Sequence, residues 1–242
     1  MQFQNLFDSS ALYSLRDRGV NCMISRYTQR KGFCIKGQAM NIELSTLAPT
    51  QIYHLMTQTI IPRPIAWVLT DSEQGCYNLA PFSYFTPVSS NPPLLMFSVG
   101  KKPSGEVKDT TRNVLETGRL VVHIANQSLA EDVTKTAATL PHGESEIEAA
   151  DLELVDFDGF ELPRVKGCPI AFACKLYEIK EIGETPQSLI FAEIEKVYLD
   201  SQVIGERSDR LVVDALKVNP LSRLGGSQYA TLDNVFSVAR PE

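Results

Sequence analysis

Six consecutive residues, Asn78-Leu79-Ala80-Pro81-Phe82-Ser83, put an amide, a small side chain, a proline, an aromatic ring and a hydroxyl into one short segment. An amide can donate and accept at once, as the edge of a planar heterocycle requires. Ala80 lets a flat ring come close, while Phe82 and Ser83 offer apolar cover and a hydroxyl. Pro81 is expected to interrupt regular strand pairing, so that nearby backbone groups turn toward a ligand. The plainer alternative is a polar turn whose Asn satisfies its own backbone. Further on, Lys108-Asp109-Thr110 combines a cation, a carboxylate and a hydroxyl at the expected start of a helix. Free N–H groups at a helix start, a nearby cation and a hydroxyl donor suit a phosphate dianion. Asp109 is expected to cap its own helix, which is also the purely structural reading of the motif. Lys101 and Lys102 are alternative cations. Together these surfaces fit a flat, phosphate-bearing aromatic ligand.

Other residues are candidates by position. Arg63, held between Pro62 and Pro64, is rigidly presented to a ligand or a partner subunit; Thr70 and Ser98 end apolar runs and could give hydroxyls to the polar part of a ligand. Trp67 reads better as core filling than as ligand contact. Arg223-Leu224-Gly225-Gly226-Ser227-Gln228-Tyr229 either shapes a pocket or forms a tight turn, since two glycines permit conformations a Cβ would block. His142, between Pro141 and Gly143, reads as a loop histidine, with admission of a second substrate as the alternative. His54, His123 and His142 are too scattered for a metal cluster. No GxGxxG follows a strand, and GxxxxGK[ST], GxSxG and HExxH are absent.

The elements that must hold these residues read mainly as β. A short helix is expected over 51–59, stopped by Pro62 and Pro64, then strands over 65–70, 76–79 and 94–99. A helix over 110–117 should close at Gly118, followed by a buried strand over 119–125. Residues 127–150 read as mostly helical with a break at 141–143, and two long strands near 169–182 and 188–199 follow. Ile170, Phe172, Cys174 and Leu176 share one face of the first. Many short strands with few helices point to a barrel, not to a βαβ sheet.

The net charge of −6 argues against broad nucleic-acid binding, though a local basic patch can still hold a phosphate. No apolar run approaches a membrane span, and the first residues lack the apolar region of a secretory signal. Cys22, Cys34, Cys76, Cys168 and Cys174 form no CxxC pair, which favours reduced thiols in the cytoplasm. Cys168 and Cys174 share strand parity and could approach each other. Residues 1–39 carry Arg16, Arg18, Arg26, Arg30, Lys31 and Lys36 against Asp8 and Asp17, inverting the balance of the remaining chain. Residues 1–43 are therefore set apart as a poorly ordered extension, with 44–242 as the domain. An interaction arm is the alternative to an upstream start before Met40.

The segments PRPIAWV (62–68), NLAPFS (78–83), PP (92–93), KDT (108–110) and RLGG (223–226) occur in the order seen in the flavin reductase-like family. The chain resembles that family from Leu44 onward, and most of all its flavoredoxins and the reductase components of two-component monooxygenases. The resemblance implies an FMN-binding split β-barrel with flanking helices, with Arg63, Thr70, Asn78, Ala80, Pro81, Phe82, Ser83, Ser98, Lys108, Asp109 and Thr110 around the cofactor. It implies an NAD(P)H-dependent flavin reductase whose nicotinamide is a transient co-substrate and whose FMN passes electrons to a flavin, oxygen or a protein acceptor. A flavoredoxin-like electron carrier and a non-enzymatic FMN-binding module stay open, as does NADH versus NADPH. A homodimer is implied, with a site near its interface.

Overall fold

A computed structural model describes residues 39–141, 144–205 and 210–241. The expectations for residues 1–38, for Cys22 and Cys34 and for His142 lie outside the described residues. The chain divides into two compact units, Met1–Leu47 and Ala48–Glu242. In the first, the described residues hold one 3-10 turn, Leu44–Thr46. All the other elements belong to the second.

That unit opens with helix α1, Pro49–Thr59. Pro49 occupies the first turn, where its missing N–H costs nothing, and the Gln51 side chain accepts from the Ala48 N–H at 2.9 Å. Then come β1 (Arg63–Pro64), β2 (Ala66–Asp71), β3 (Tyr77–Phe82), β4 (Phe85–Ser90) and β5 (Pro93–Val99). Helix α2 (Asp109–Thr117) ends at Gly118, whose φ of 71° is the left-handed conformation that closes a helix without strain in glycine. Strand β6 (Arg119–Ile124), a 3-10 turn (Gln127–Leu129), α3 (Ala130–Lys135) and α4 (Glu146–Ala149) follow. Next are β7 (Leu154–Val155), β8 (Arg164–Val165), β9 (Ile170–Ile182) and β10 (Gln187–Leu199). Short pieces complete the unit: β11 (Ile204–Gly205), β12 (Val212–Val213), α5 (Ala215–Val218), β13 (Ser222–Arg223) and β14 (Tyr229–Ala230).

The main sheet is antiparallel throughout, in the order β3-β2-β6-β9-β10-β5-β4. Its two edge strands, β3 and β4, are consecutive in the chain and joined by only Ser83 and Tyr84. Two residues cannot span an open sheet of this width, so the sheet must curl until its edges meet. The β9–β10 ladder shifts register twice, leaving Tyr177 of β9 and Glu195 of β10 unpaired, and such bulges bend long strands around a curve. A separate β1-β13-β14 sheet lies outside it in sequence order.

Both faces of the main sheet are covered. Ala66, Val68, Phe97, Leu120, Val122 and Ile190 fill the inside together with Val114 of α2. Trp67, Leu69, Val121, Ala171 and Ala173 face outward under Val133 of α3, Ile147 of α4 and the loop residues Phe157 and Leu162. Strand β2 is buried at every position, so its sequence shows no polar alternation.

Among the elements and cysteines, the structure departs from the sequence-based expectations as follows. Strand β4, in a stretch where no strand was expected, forms because β5 supplies its ladder. The 127–150 region is helical only over α3 and α4 and one 3-10 turn. Cys168 lies in the outer core and Cys174 in the inner one, so they do not meet; Cys168 precedes β9, where strand parity no longer applies. Cys168 and Cys174 are free thiols.

Candidate functional site

Strand β3 is a sheet edge, and what covers that edge defines the site. Tyr77 and Leu79 point their backbone groups away from β2. The Tyr77 carbonyl accepts from Ser145 Oγ at 2.7 Å, and the Leu79 N–H donates to Glu146 Oε2 at 3.1 Å. Helix α4 thus caps the first half of the edge. By the two-residue period of a strand, Pro81 also faces outward. This corrects the expectation that Pro81 breaks pairing: Trp67 and Pro81 are in regular register, because the missing N–H falls on the open edge.

Beyond Leu79 the edge is uncovered, and there the start of α2 approaches it. A cavity of about 150 Å³ lies between Asn78, Ala80 and Pro81 of β3, Lys108, Asp109 and Thr110 of α2, Lys102, Glu146 and residues 136–140. Six of the eleven candidate residues are thereby brought together. Lys108 stands at the N-cap position, and its Nζ lies 5.7 Å from the centre of the Phe82 ring. Burial, and then the neighbouring Lys102, push its ammonium down from the ordinary lysine value. Among the described residues it has no carboxylate partner.

Asp109 is the first helical residue and not the cap, which corrects its expected role. Its carboxylate instead meets Lys102 Nζ at 2.9 Å and Arg112 Nη1 at 3.3 Å, so a nearby anion meets a neutralised group.

Behind the cavity, Asn78 Nδ2 donates to Thr110 Oγ1 at 3.0 Å and to Thr70 Oγ1 at 3.4 Å, and Asn113 Nδ2 donates to Thr70 Oγ1 at 3.1 Å. Thr70 has no exposed surface and ties β2, β3 and α2 together. Asn113 also lines a second cavity of about 330 Å³, beside Ser72, Gln74, Cys76, Tyr77 and Glu144, which shares Asn78 and Asp109 with the first. Its Oδ1 is buried without a hydrogen-bond partner among the described residues. A buried acceptor left unpaired is costly, so this oxygen is ready for a ligand donor. Burial, reinforced by Glu148, Glu146 and Asp109, pushes the Cys76 thiol up, away from the reactive thiolate.

The remaining candidates lie apart from the cavity. Arg63 is buried and donates to the carbonyls of Thr57, Ile60 (2.9 Å) and Leu224 (2.9 Å), and its Nε to Ser83 Oγ at 3.3 Å. Ser98 donates its N–H to the Tyr84 carbonyl at 2.9 Å within the β5 ladder. Arg223 to Gln228 form a tight turn: the Leu224 N–H donates to the Gln228 carbonyl at 3.0 Å, and Arg223 Nη2 donates to the Gly226 carbonyl at 2.7 Å. Trp67 is core, its Nε1 donating to Thr136 Oγ1 at 2.8 Å.

Glu146, Asn113 and residues 136–140 escaped the sequence reading. Asn113 follows Thr110 by one helical turn, a spacing that could have marked it. Glu146 carries no local signal, since only folding brings α4 to β3. Burial pushes its carboxyl up, while the Leu79 N–H works in the other direction.

Comparison with known proteins follows this geometry. The family described as "Flavin reductase like domain" matches residues 56–217. The uncharacterized protein YwrF of Bacillus subtilis (strain 168) is 38% identical over 199 residues, covering 81% of this chain and 96% of that protein. Nitrilotriacetate monooxygenase component B of Bacillus cereus is 35% identical, with TM-score 0.76 over 84% of this chain and all (100%) of that one. The 2-nitrobenzoate 2-nitroreductase NbaA of Pseudomonas fluorescens is 31% identical, with TM-score 0.75 over 84% and 96%.

Proposed function

Because this chain belongs to the flavin reductase like domain family, we propose that it is an FMN-binding oxidoreductase that takes electrons from NAD(P)H and passes them to a flavin, oxygen or a protein acceptor. The observation that carries this is the cavity where the open edge of β3 meets the start of α2. Lys108 and Lys102, with the free N–H groups of the first turn of α2, hold the phosphate. An anion there balances a desolvated ammonium that has no carboxylate of its own. Asn78 and the outward backbone groups after Leu79 orient the ring system, Ala80 lets it approach, and Asn113 Oδ1 takes a ligand donor.

Bound FMN supplies hydride acceptance and onward electron transfer. The chain supplies position and electrostatics, and no protein acid or base is required. The protein acts as a homodimer with a site near the subunit interface, and the free thiols of Cys168 and Cys174 favour the cytoplasm.

Titration with FMN and riboflavin, followed by flavin fluorescence, is expected to show tighter FMN binding. Anaerobic mixing with NADH and with NADPH should then bleach the flavin with at least one of them. No flavin binding overturns the reading. Binding without bleaching keeps the cofactor and makes the protein an electron carrier or FMN-binding module.

A further inference from the structure

Residues 231–241 leave β14 without forming helix or strand, and among the described residues they make no hydrogen bond. Phe236 is 80% exposed, Val238 79% and Val235 55%. Large apolar side chains left this exposed gain little burial for the conformational freedom they give up, so the segment is suited to being covered.

The same chain carries a second uncovered apolar surface. Tyr53 (57%), Ile60 (57%), Ile61 (50%), Tyr84 (37%) and Val88 (50%) are exposed. Four of these cluster around Arg63, which binds the Ile60 carbonyl and Ser83 Oγ and, with Tyr53, acts on the Tyr84 phenol. Val88 extends the surface along edge strand β4. Monomers rarely leave such a patch bare. The β4 edge is poorly suited to strand addition, because the Ser98–Tyr84 bond sets a parity that puts Pro87 on the open side. Side-chain docking is the remaining mode.

The arm starts close to this patch, since β14 pairs with β13 and β13 with Arg63 of β1, yet arm and patch are both exposed within one chain. Under a two-fold axis each surface meets the other twice. A standard interface covers about 800 Å² per partner, and arm and patch each contribute to it twice under the two-fold axis.

We propose that residues 231–241 are an exchange arm, with Val235, Phe236 and Val238 of each copy seated on the Tyr53, Ile60, Ile61, Tyr84 and Val88 patch of a second copy. This rests on the dimer proposed above and names what holds it together. The patch begins right after the cavity-lining segment of β3, so the arm lies at the rim of the partner's site.

Sedimentation of the full chain over a concentration series is expected to show a species of twice 26.9 kDa. In full-length Phe236→Asp and, separately, Val88→Asp, the dimer dissociation constant should rise at least tenfold with unchanged circular dichroism, and the double variant should be little worse than either single one. Hydrogen exchange should show 84–90 and 231–241 protected together, and only at concentrations where the dimer forms. A wild-type monomer overturns both the arm and the dimer. A dimer whose dissociation constant ignores Phe236→Asp, or an arm equally protected in the monomer, overturns the arm and leaves the dimer standing. Flavin binding is read separately, so its failure is not confused with either.

Discussion

His123 lies on β6 with no exposed surface, and both of its ring nitrogens are engaged. Nε2 accepts the Val165 N–H at 3.0 Å, so Nδ1 carries the proton and donates to the Trp67 carbonyl at 3.0 Å. Burial, helped by Arg164 and opposed by the Trp67 carbonyl, pushes the imidazole from 6.5 down to about 4. In the unfolded chain the ring protonates near 6.5, so between these values the unfolded state binds more protons. Stability is therefore full above pH 6.5 and falls as pH drops toward 4. A displacement from 6.5 to about 4 is worth about 3 kcal/mol in all, of which about 2 kcal/mol is lost between pH 8 and pH 5. Glu146 acts with opposite sign, since its raised carboxyl favours the folded state as pH falls, and it softens the slope.

Urea unfolding followed by the fluorescence of Trp67, the single tryptophan, measures the loss. His123→Phe leaves the Val165 N–H and the Trp67 carbonyl unpaired and should cost roughly 1–3 kcal/mol for each at pH 8. It keeps Glu146, so the difference in slope between the two proteins isolates the imidazole. Should that variant fail to fold, the ring NMR signals of the wild type give the same answer by staying in the neutral Nδ1–H form down to pH 5. Equal pH slopes in the two proteins, or a ring that titrates near 6.5, would refute the argument.

Lys108→Ala removes a charge-assisted phosphate contact of roughly 1.5–3 kcal/mol and should weaken FMN about tenfold or more while leaving riboflavin unchanged; equal FMN titrations would remove Lys108 from the site. A chain starting at Met40 should fold and bind FMN like the full one, and aggregation or loss of flavin would make the first residues structural. Gly225→Ala drives a Cβ into the Gln58 side chain of α1 and should cost roughly 1–3 kcal/mol in urea unfolding, without changing FMN affinity in the folded protein.

The sequence by itself determined several element boundaries and offered residues for a phosphate as candidates. The proline pair ended α1, Gly118 ended α2, and Lys108-Asp109-Thr110 marked a helix start, because these depend on local conformation. Asn78, Ala80 and Pro81 were picked out as a group by their neighbouring types, and the structure places all three on one cavity. Only the tertiary structure decided that Pro81 sits on the open edge of a regular ladder, that Arg63 binds the carbonyls of α1 and Leu224, and that Thr70 is enclosed between Asn78 and Asn113. Glu146 became a wall of the cavity only when α4 docked on β3, far away in the chain. Strand β4 likewise has little strand character of its own. It exists because curling the sheet brings β5 alongside a segment two residues beyond β3, and the energy of that pairing is long-range, invisible to any local window.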